Sequence, residues 1–371
     1  MAPVHDVAIV GAGLLGLAAA RAVATQGRDF VILEQGSIGH DGAGSKGSCR
    51  IFRLGYPEPD YVTAARQARG LWEELEAETQ RQILLPTPQI TFGPQLTAVH
   101  DAMRRAGASC ELLSSEEAAR RFPDVQVDGP VLLETESCVT AADQALAALA
   151  AAAGLVDPAD PTRHSGPEGA RLRTGIKVTG VVDDGRQVTL RTSAGTVTAR
   201  VAIITAGPWS AGLLAGAVRM PGTPTLEQVA YLAPARESAR APIFIRYGDQ
   251  SPYGLPVPGS QLYKIGIHPS GPAVDPDAQA SGPDPELVSR LSKLAARYLP
   301  GYLPDPVSTE RCVYDNTSDE DFVIDRVGNV VIGCGTSGHG FKFGPLFGTW
   351  LADLASGGGG QVPGRFSAAR F

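Results

Sequence analysis

Apolar and polar positions at the start of the chain follow the pattern of two strands joined by a helix. An apolar run over residues 6–10 is followed by a glycine-rich segment over 11–16 and then by a helical pattern over 17–26. A second apolar run over 30–33 ends at Glu34. This order of strand, glycine-rich turn, helix, strand and acidic residue predicts a βαβ unit that binds a dinucleotide.

Three glycines in this unit have separate physical roles. We expect Gly11 to turn the chain off the strand, Gly13 to leave room for a pyrophosphate, and Gly16 to let the helix pack closely on the strand. The helix N-terminus offers N–H groups and a partial positive charge to phosphates. Glu34 is placed to accept hydrogen bonds from ribose hydroxyls. The pattern also fits a tight strand–helix turn without a ligand, and it does not distinguish FAD from NAD.

Further along the chain, helical and strand patterns alternate. Helices are predicted over 60–82, 116–121, 141–153, 288–298 and about 345–355. Strands are predicted over 87–92, 176–182, 188–192, 196–199, 201–204, within 228–268 and over 329–333, with an exposed loop over 157–169. The apolar runs at 201–204 and 329–333 are typical of strands buried in a parallel sheet.

This arrangement predicts a mixed α/β fold with two domains. A discontinuous, Rossmann-like FAD-binding domain is predicted to comprise residues 1–85, 141–220 and 321–371. An inserted, mainly antiparallel β substrate domain is predicted to comprise residues 86–140 and 221–320. The discontinuous layout favours a large flavoprotein over an NAD dehydrogenase, in which the Rossmann unit is usually continuous.

Composition and charge exclude several classes of protein. The chain has 371 residues, 43% hydrophobic residues and a net charge of −7 without a basic run, which suits a two-domain globular enzyme and not a nucleic-acid-binding protein. No basic region precedes the apolar stretch 7–24, so no signal peptide is expected, and the stretch 145–156 is too short to span a bilayer. Five cysteines without a C-x-x-C pair indicate free thiols in a cytoplasmic protein and no zinc site.

Five separated motifs carry a family resemblance that runs nearly end to end. They are the glycine-rich unit ending at Glu34, the segment 44–53 (GSKGSCRIFR), Tyr253-Gly254 with 264–268 (KIGIH), 312–325 (CVYDNTSDEDFVID) and 337–343 (SGHGFKF). On these motifs the chain resembles the monomeric sarcosine oxidase and N-methyltryptophan oxidase family of FAD-dependent amine oxidases. The resemblance implies FAD as cofactor, an amino acid as substrate and O₂ as electron acceptor.

The resemblance implies a covalently held flavin. Cys312 matches the family cysteine whose sulfur is bonded to the flavin 8α-methyl group, and a nearby positive charge helps to form the thiolate that this bond needs. A buried structural cysteine is the alternative. The full set of expected cofactor contacts is Gly11, Gly13, Gly16, Glu34, Ser45, Lys46, Arg50, Val178, Gly207, Cys312, Gly338, Gly340 and Lys342.

Two cations match the family pair that binds the substrate carboxylate. These are Arg53, with a planar fork of donors, and Lys342, a point charge between two phenylalanines. Cations that converge in a pocket require an anion there, because each is costly to bury unpaired. The resemblance also places Tyr253 and Phe244 against the substrate.

The resemblance assigns catalytic roles to four residues. Lys264 matches the lysine credited with activating oxygen, since a fixed ammonium stabilises negative charge that develops on O₂. Arg50 is expected beside the flavin ring, where it favours the reduced, anionic form. His268 and Tyr253 are expected to polarise or orient the substrate amine, although a lone histidine is often structural.

The chain departs from the family pattern at several positions. Lys46 stands where relatives commonly have histidine, Cys49 where threonine is common, and Asp321 replaces a frequent histidine. Arg246 lies in a stretch that lines the family's substrate pocket, and it either binds a second polar group or points to solvent. These departures leave the reaction class intact and the identity of the substrate open.

The predicted function is a flavin-dependent oxidase of a secondary α-amino acid. It would oxidise the C–N bond to an imine and reduce O₂ to H₂O₂. The substrate is an N-methyl or N-alkyl amino acid, or alternatively a cyclic imino acid resembling proline, pipecolate or piperideine carboxylate. A flavin dehydrogenase with a different acceptor and a non-catalytic flavin-binding protein are the other possibilities. The resemblance suggests a monomer, and the charge and the short apolar stretches indicate no nucleic-acid or membrane partner.

Overall fold

The computed structural model describes residues 4–157, 160–164, 171–216, 218, 220, 222–269, 271–278, 282–359 and 361–371. Its helices are α1 (Leu14–Thr25), α2 (Pro59–Thr79), α3 (Leu96–Arg105), α4 (Ser115–Arg121), α5 (Ala142–Ala152), α6 (Ser210–Leu214), α7 (Pro285–Tyr298) and α8 (Gly344–Ala355), with 3₁₀ turns at Gly207–Trp209, Phe341–Phe343, Gly364–Phe366 and Ala368–Arg370.

Strands in the first part of the chain are β1 (Val4–Val10), β2 (Phe30–Leu33), β3 (Cys49–Phe52), β4 (Leu84–Pro86), β5 (Gln89–Phe92), β6 (Glu111–Leu113), β7 (Val131–Glu134), β8 (Cys138–Ala141), β9 (Val156–Asp157), β10 (Asp160–His164) and β11 (Leu172–Arg173). The remaining strands are β12 (Val178–Asp183), β13 (Val188–Thr192), β14 (Gly195–Ile204), β15 (Thr225–Leu232), β16 (Ile243–Arg246), β17 (Pro252–Pro256), β18 (Tyr263–Ile267), β19 (Ser308–Tyr314), β20 (Val323–Val327) and β21 (Val330–Cys334). Of the predicted loop over 157–169, residues 158–159 and 165–169 lie outside the described part of the chain, and the strands β9 and β10 pair as a hairpin.

A mostly parallel sheet assembles strands from distant parts of the chain. Strands β11, β2, β1, β14 and β21 run parallel in this order, and β20 pairs antiparallel with β21. The hairpin β12–β13 pairs with the first half of β14. Helices α1, α2, α5 and α8 pack against one another around the larger apolar core. Because both faces of this sheet are covered, β2 and β21 are buried along their whole length.

A second sheet carries the residues of the predicted substrate domain. Its strand order is β19-β15-β18-β17-β16-β5-β7-β6, with antiparallel pairs except for β16 with β5. Helix α7 and an aromatic core that includes Phe244 and Tyr263 cover one face. Side chains alternate along a strand, so Lys264 on β18 emerges on the opposite face. A small sheet of β3, β8 and β4 carries Arg50.

The mixed α/β fold with a discontinuous nucleotide-binding sheet and a mainly antiparallel second sheet is confirmed. The boundaries of the two predicted domains stay a prediction. In the described part of the chain, no helix combines the length and apolar character needed to cross a bilayer. The same residues contain no cluster of histidine, cysteine and carboxylate side chains that could hold a metal ion.

Candidate active site

A cavity of about 870 Å³ joins the glycine-rich turn after β1 to the second sheet and to the turn before α8. Most of the residues singled out from the sequence line this one cavity, although their motifs are far apart along the chain. Those residues are Gly11, Gly13, Glu34, Ser45, Arg50, Arg53, Val178, Gly207, Tyr253, Lys264, His268, Cys312, Gly338, Gly340 and Lys342.

At the end of the cavity next to the glycine-rich turn, the backbone is packed too closely to accept a side chain at Gly11. Gly11 has a φ of +96°, and an added Cβ would lie 2.6 Å from the carbonyl oxygen of Thr205. The Glu34 carboxylate is oriented by N–H groups, because its two oxygens accept from Ala12 at 2.7 Å and from Gly36 at 2.7 Å. A turn with glycine at its first and third positions, followed by a helix N-terminus and an oriented carboxylate, fits the pyrophosphate and ribose of a dinucleotide.

Three predicted contacts do not line the cavity. Gly16 serves helix packing, since an added Cβ would lie 1.9 Å from the Gly11 carbonyl oxygen. Lys46 is absent from the cavity wall, and its ammonium lies 3.7 Å from the exposed Asp41 carboxylate. Phe244 is fully buried in the aromatic core behind the second sheet, and the next residue, Ile245, lines the cavity instead. The prediction that Phe244 faces the cavity is therefore corrected, since Ile245 takes that place.

Arg246 also faces away from the cavity. Its Nε donates to the Asp128 carboxylate at 2.8 Å, and its guanidinium lies 5.9 Å from the centre of the Tyr298 ring. The sequence left open whether Arg246 binds a second polar group of the substrate or points to solvent. This geometry does not support the contact with the substrate.

Two cations and a thiol meet in the middle of the cavity. The Lys264 side chain is 5% exposed and its Nζ lies 3.4 Å from the Cys49 carbonyl oxygen. Burial, and then the Arg50 guanidinium, lower the pKa of Lys264. Burial raises the pKa of the Cys312 thiol, whereas Arg50 and Lys264 act to lower it. The two cations therefore oppose the effect of burial only in part, and the pKa of this thiol stays above its usual value.

Glu310 stands beside this group and was not predicted. Its carboxylate accepts a hydrogen bond from the Tyr231 hydroxyl at 2.5 Å, and its negative charge opposes the lowering of the pKa of Lys264. Glu310 lies on β19, two residues before Cys312, so strand alternation directs both side chains to the cavity. This period of two is the sequence signal that could have found it.

Arg53 and Lys342 converge in the part of the cavity next to α2. The Arg53 guanidinium lies 3.9 Å from the centre of the Tyr56 ring, and its Nη1 donates to the Tyr247 hydroxyl at 3.1 Å. Lys342 is 4% exposed and its Nζ donates to the Tyr56 hydroxyl at 2.9 Å and to the His339 carbonyl at 2.6 Å. Burial, and then Arg53, hold the pKa of Lys342 well below its usual range.

A buried carboxylate supports this pair from behind. The Glu134 oxygens accept from the backbone N–H groups of Leu54 at 2.6 Å and Gly55 at 2.9 Å, which orders the segment that carries Arg53. Its negative charge acts to raise the pKa of Lys342. No local sequence pattern indicates that Glu134 belongs to the site, because the pairing of β7 with β5 brings it there.

Tyr253 and His268 lie between the two groups of cations. The Tyr253 ring covers Gly266 on the neighbouring strand, where an added Cβ would lie 2.5 Å from the ring. The His268 ring lies 5.7 Å from the Tyr314 ring. Burial, and then the charges of Arg53 and Lys342, lower the pKa of His268 to about 4, so that its imidazole is neutral at neutral pH.

His268 should therefore make the fold sensitive to acid. Its pKa is about 4 in the folded protein and 6.5 without the fold, so between these values the unfolded chain binds a proton that the folded chain does not, and stability falls as pH falls. When the pH is lowered from about 7 to about 5, we expect the unfolding free energy of His268→Asn to decrease less than that of the wild type. Urea unfolding at both pH values measures this, and an identical pH dependence in variant and wild type would contradict the assignment.

Comparison with known proteins places this site in context. The chain matches a family model described as FAD dependent oxidoreductase over residues 6–354. It is 32% identical to the peroxisomal sarcosine oxidase of Homo sapiens, over 94% of this chain and 92% of that protein. It is 31% identical to the monomeric sarcosine oxidase of Bacillus sp. (strain NS-129), over 95% of this chain and 92% of that protein. Among solved structures it is similar to NikD, an unusual amino acid oxidase essential for nikkomycin biosynthesis, with a TM-score of 0.85, 25% identity and coverage of 98% and 97% of the two chains.

Proposed function

The chain belongs to the family of FAD-dependent oxidoreductases, and on that premise we propose that it is a flavin-dependent oxidase of secondary α-amino acids. One observation carries the choice of substrate class. Arg53 and Lys342 converge as two cations in the cavity that also contains the nucleotide-binding turn. A carboxylate is the anion that an amino acid offers to such a pair, and Arg53 can bind it through two parallel hydrogen bonds.

The residues of the cavity fit FAD along its length. Glu34 would bind ribose, the turn from Gly11 to Gly13 would bind the pyrophosphate, and Arg50 and Cys312 would hold the ring system. When bound, FAD accepts two electrons from a substrate and passes them to an acceptor. The protein supplies the binding, the orientation and the electrostatics around that chemistry.

The chain's own residues act chiefly by positioning. Arg53 and Lys342 bind the substrate carboxylate and thereby fix the C–N bond beside the cofactor. The neutral imidazole of His268 can orient the amine without adding a positive charge that would repel a protonated amine. Lys264 provides a buried ammonium where O₂ is reduced, and its charge favours the developing negative charge on oxygen.

The electron acceptor is tested by aerobic turnover. An oxidase forms one H₂O₂ for each amino acid consumed, whereas a dehydrogenase needs an added dye or quinone acceptor. We expect stoichiometric peroxide with air as the sole acceptor. Turnover that appears only with an artificial acceptor would favour the dehydrogenase.

The two substrate classes are separated by their products. An N-methyl amino acid is converted to an imine that hydrolyses to formaldehyde and a primary amino acid. A cyclic imino acid is converted to a cyclic imine without formaldehyde. We propose the N-methyl or N-alkyl class first, because the sarcosine oxidases share about a third of this sequence. A chain that oxidises cyclic substrates and yields no formaldehyde from N-methyl amino acids would reverse this order.

We further propose that the flavin is bonded to Cys312. The thiol lies in the cavity beside Arg50 and Lys264, whose positive charges act against the burial that raises its pKa. In the wild-type holoenzyme, acid precipitation should leave the yellow colour with the protein, and Cys312→Ser should release it to the supernatant. Cys138→Ser is the matched control, because Cys138 is a buried cysteine on β8 that does not line the cavity, and it should retain the colour. Release of flavin from the wild type would contradict the bond.

Monomeric assembly and a cytoplasmic location stay predictions.

A further inference from the structure

Tyr56 contacts both carboxylate-binding cations, and we propose that it is a positioning residue that holds Arg53 and Lys342 together for substrate binding. The inference rests on the proposed function, since it concerns the same carboxylate site. Tyr56 lies three residues after Arg53, in the segment that Glu134 orders through the N–H groups of Leu54 and Gly55. The ring is 5% exposed and lines the cavity.

The two cations use different parts of Tyr56. The Arg53 guanidinium carbon lies over the ring, 3.9 Å from its centre, where the negative face of the aromatic system attracts a planar cation. The Lys342 Nζ donates to the hydroxyl oxygen at 2.9 Å. One side chain therefore fixes the spacing of two cations, of which Arg53 acts to lower the pKa of Lys342.

The hydroxyl of Tyr56 is oriented by a chain of hydrogen bonds in which each donor and each acceptor can be assigned. An ammonium can only donate and a carbonyl can only accept, so Lys342 donates to Tyr56 and the Nε2–H of His339 donates to the Glu320 carbonyl at 3.1 Å. His339 is then left with a bare Nδ1, which accepts the Tyr56 proton at 3.2 Å. Burial, and then Lys342, hold the pKa of His339 well below its usual range, which keeps the imidazole in this neutral form.

A neutral residue suits this position because it does not compete with the substrate. An aspartate or glutamate between Arg53 and Lys342 would neutralise the pair and leave less attraction for an incoming carboxylate. The ring face and hydroxyl of Tyr56 provide negative potential without a formal charge. Lys342 keeps one N–H donor without a partner among the described residues, and Arg53 gives Nη1 to Tyr247. Donors of both cations thus remain available to the cavity.

The test is a binding experiment on the holoenzyme with a carboxylate that cannot be oxidised. Methylthioacetate replaces the amine with a thioether, and its dissociation constant follows from the change in flavin absorbance. We expect Tyr56→Phe to raise this constant by roughly 10-fold or more, because a hydrogen bond to a charged group is lost. In turnover KM should rise more than kcat falls. Tyr61→Phe is the matched control: Tyr61 stacks on Tyr56 at 5.0 Å, but its hydroxyl donates to Asp321 at 2.7 Å, so affinity should stay within about twofold.

A double-mutant cycle separates positioning from general damage. In a Lys342→Met background the Tyr56 hydroxyl has lost the partner that it positions, so Tyr56→Phe should cause little further loss of affinity. Full additivity of the two changes would overturn the inference, as would unchanged affinity in Tyr56→Phe alone. If the wild-type enzyme binds no carboxylate, both the proposed function and the inference are contradicted. If it binds the carboxylate and Tyr56→Phe leaves the dissociation constant unchanged, only the inference is contradicted.

Discussion

Replacing Arg53 with Met should reduce kcat/KM for the amino acid substrate on the order of 10²–10³-fold, because it removes one half of the carboxylate site and leaves a substrate charge without its partner. The loss should appear mainly in KM, since the carboxylate is bound alike in the ground state and in the transition state. Steady-state kinetics over a range of substrate concentrations measures both constants.

Arg246→Gln is the matched control for this change. Arg246 lies seven residues before Tyr253 on the same sheet, yet its guanidinium pairs with Asp128 and does not line the cavity. Its removal should leave kcat/KM within about twofold of the wild type, as for an exposed ion pair. Equal losses for Arg53→Met and Arg246→Gln would mean that the carboxylate is bound elsewhere.

Replacing Lys264 with Met should slow the reaction of the reduced enzyme with O₂ on the order of 10²–10³-fold, because a preorganised charge is removed from a site that excludes water. Reduction of the enzyme by substrate should change far less, because the carboxylate and amine contacts lie with Arg53, Lys342 and His268. Stopped-flow measurement of the two half-reactions separates the effects.

An exposed lysine on α7 gives the control for Lys264→Met. Lys293 lies on the solvent side of that helix, so Lys293→Met should leave both half-reactions unchanged. If Lys264→Met slowed reduction and reoxidation by equal factors, the assignment to oxygen chemistry would be wrong, and a structural role for the buried ammonium would replace it.

The sequence predicts well where function depends on local pattern. The turn from Gly11 to Gly16 and the carboxylate of Glu34 lie within one βαβ unit, so their spacing along the chain already fixes their spacing in space. Lys264 was predicted from the family resemblance, because alternation along the strand leaves open which face it takes, and in the structure the residues on either side of it pack into the core.

Other residues lie elsewhere than predicted, or were missed, for physical reasons. Strand β16 is four residues long and places Phe244 on one face and Ile245 on the other, so an apolar residue could face the cavity from either side. Lys46 does not line the cavity, and its ammonium lies near the exposed Asp41 carboxylate, five residues earlier. Tyr247 reaches Arg53 only through the pairing of β16 with β5, which no local pattern reveals.

Two of the described helices also escaped prediction, α3 and the five-residue α6. Helix α3 spans ten residues and buries only Val99, Ala102 and Met103, because most of its surface faces solvent. Its apolar residues do recur at helical spacing, from Leu96 through Val99 to Met103, so the signal was present in the sequence, and the helix packs against α2. The helix matters to the site indirectly, since Val99 and Met103 lie within 4 Å of the Cβ position at Gly55, beside Tyr56.

The central claim is that this chain removes electrons from the C–N bond of a secondary α-amino acid. Anaerobic mixing of the FAD-loaded enzyme with N-methyl, N-alkyl and cyclic amino acids tests it most directly, with the corresponding primary amino acids and the amines that lack a carboxylate as matched controls. Bleaching of the oxidised flavin absorbance by at least one secondary amino acid, and much slower bleaching by both controls, is the predicted result. Absorbance that no secondary amino acid changes, or bleaching that is as fast without the carboxylate, would contradict the account.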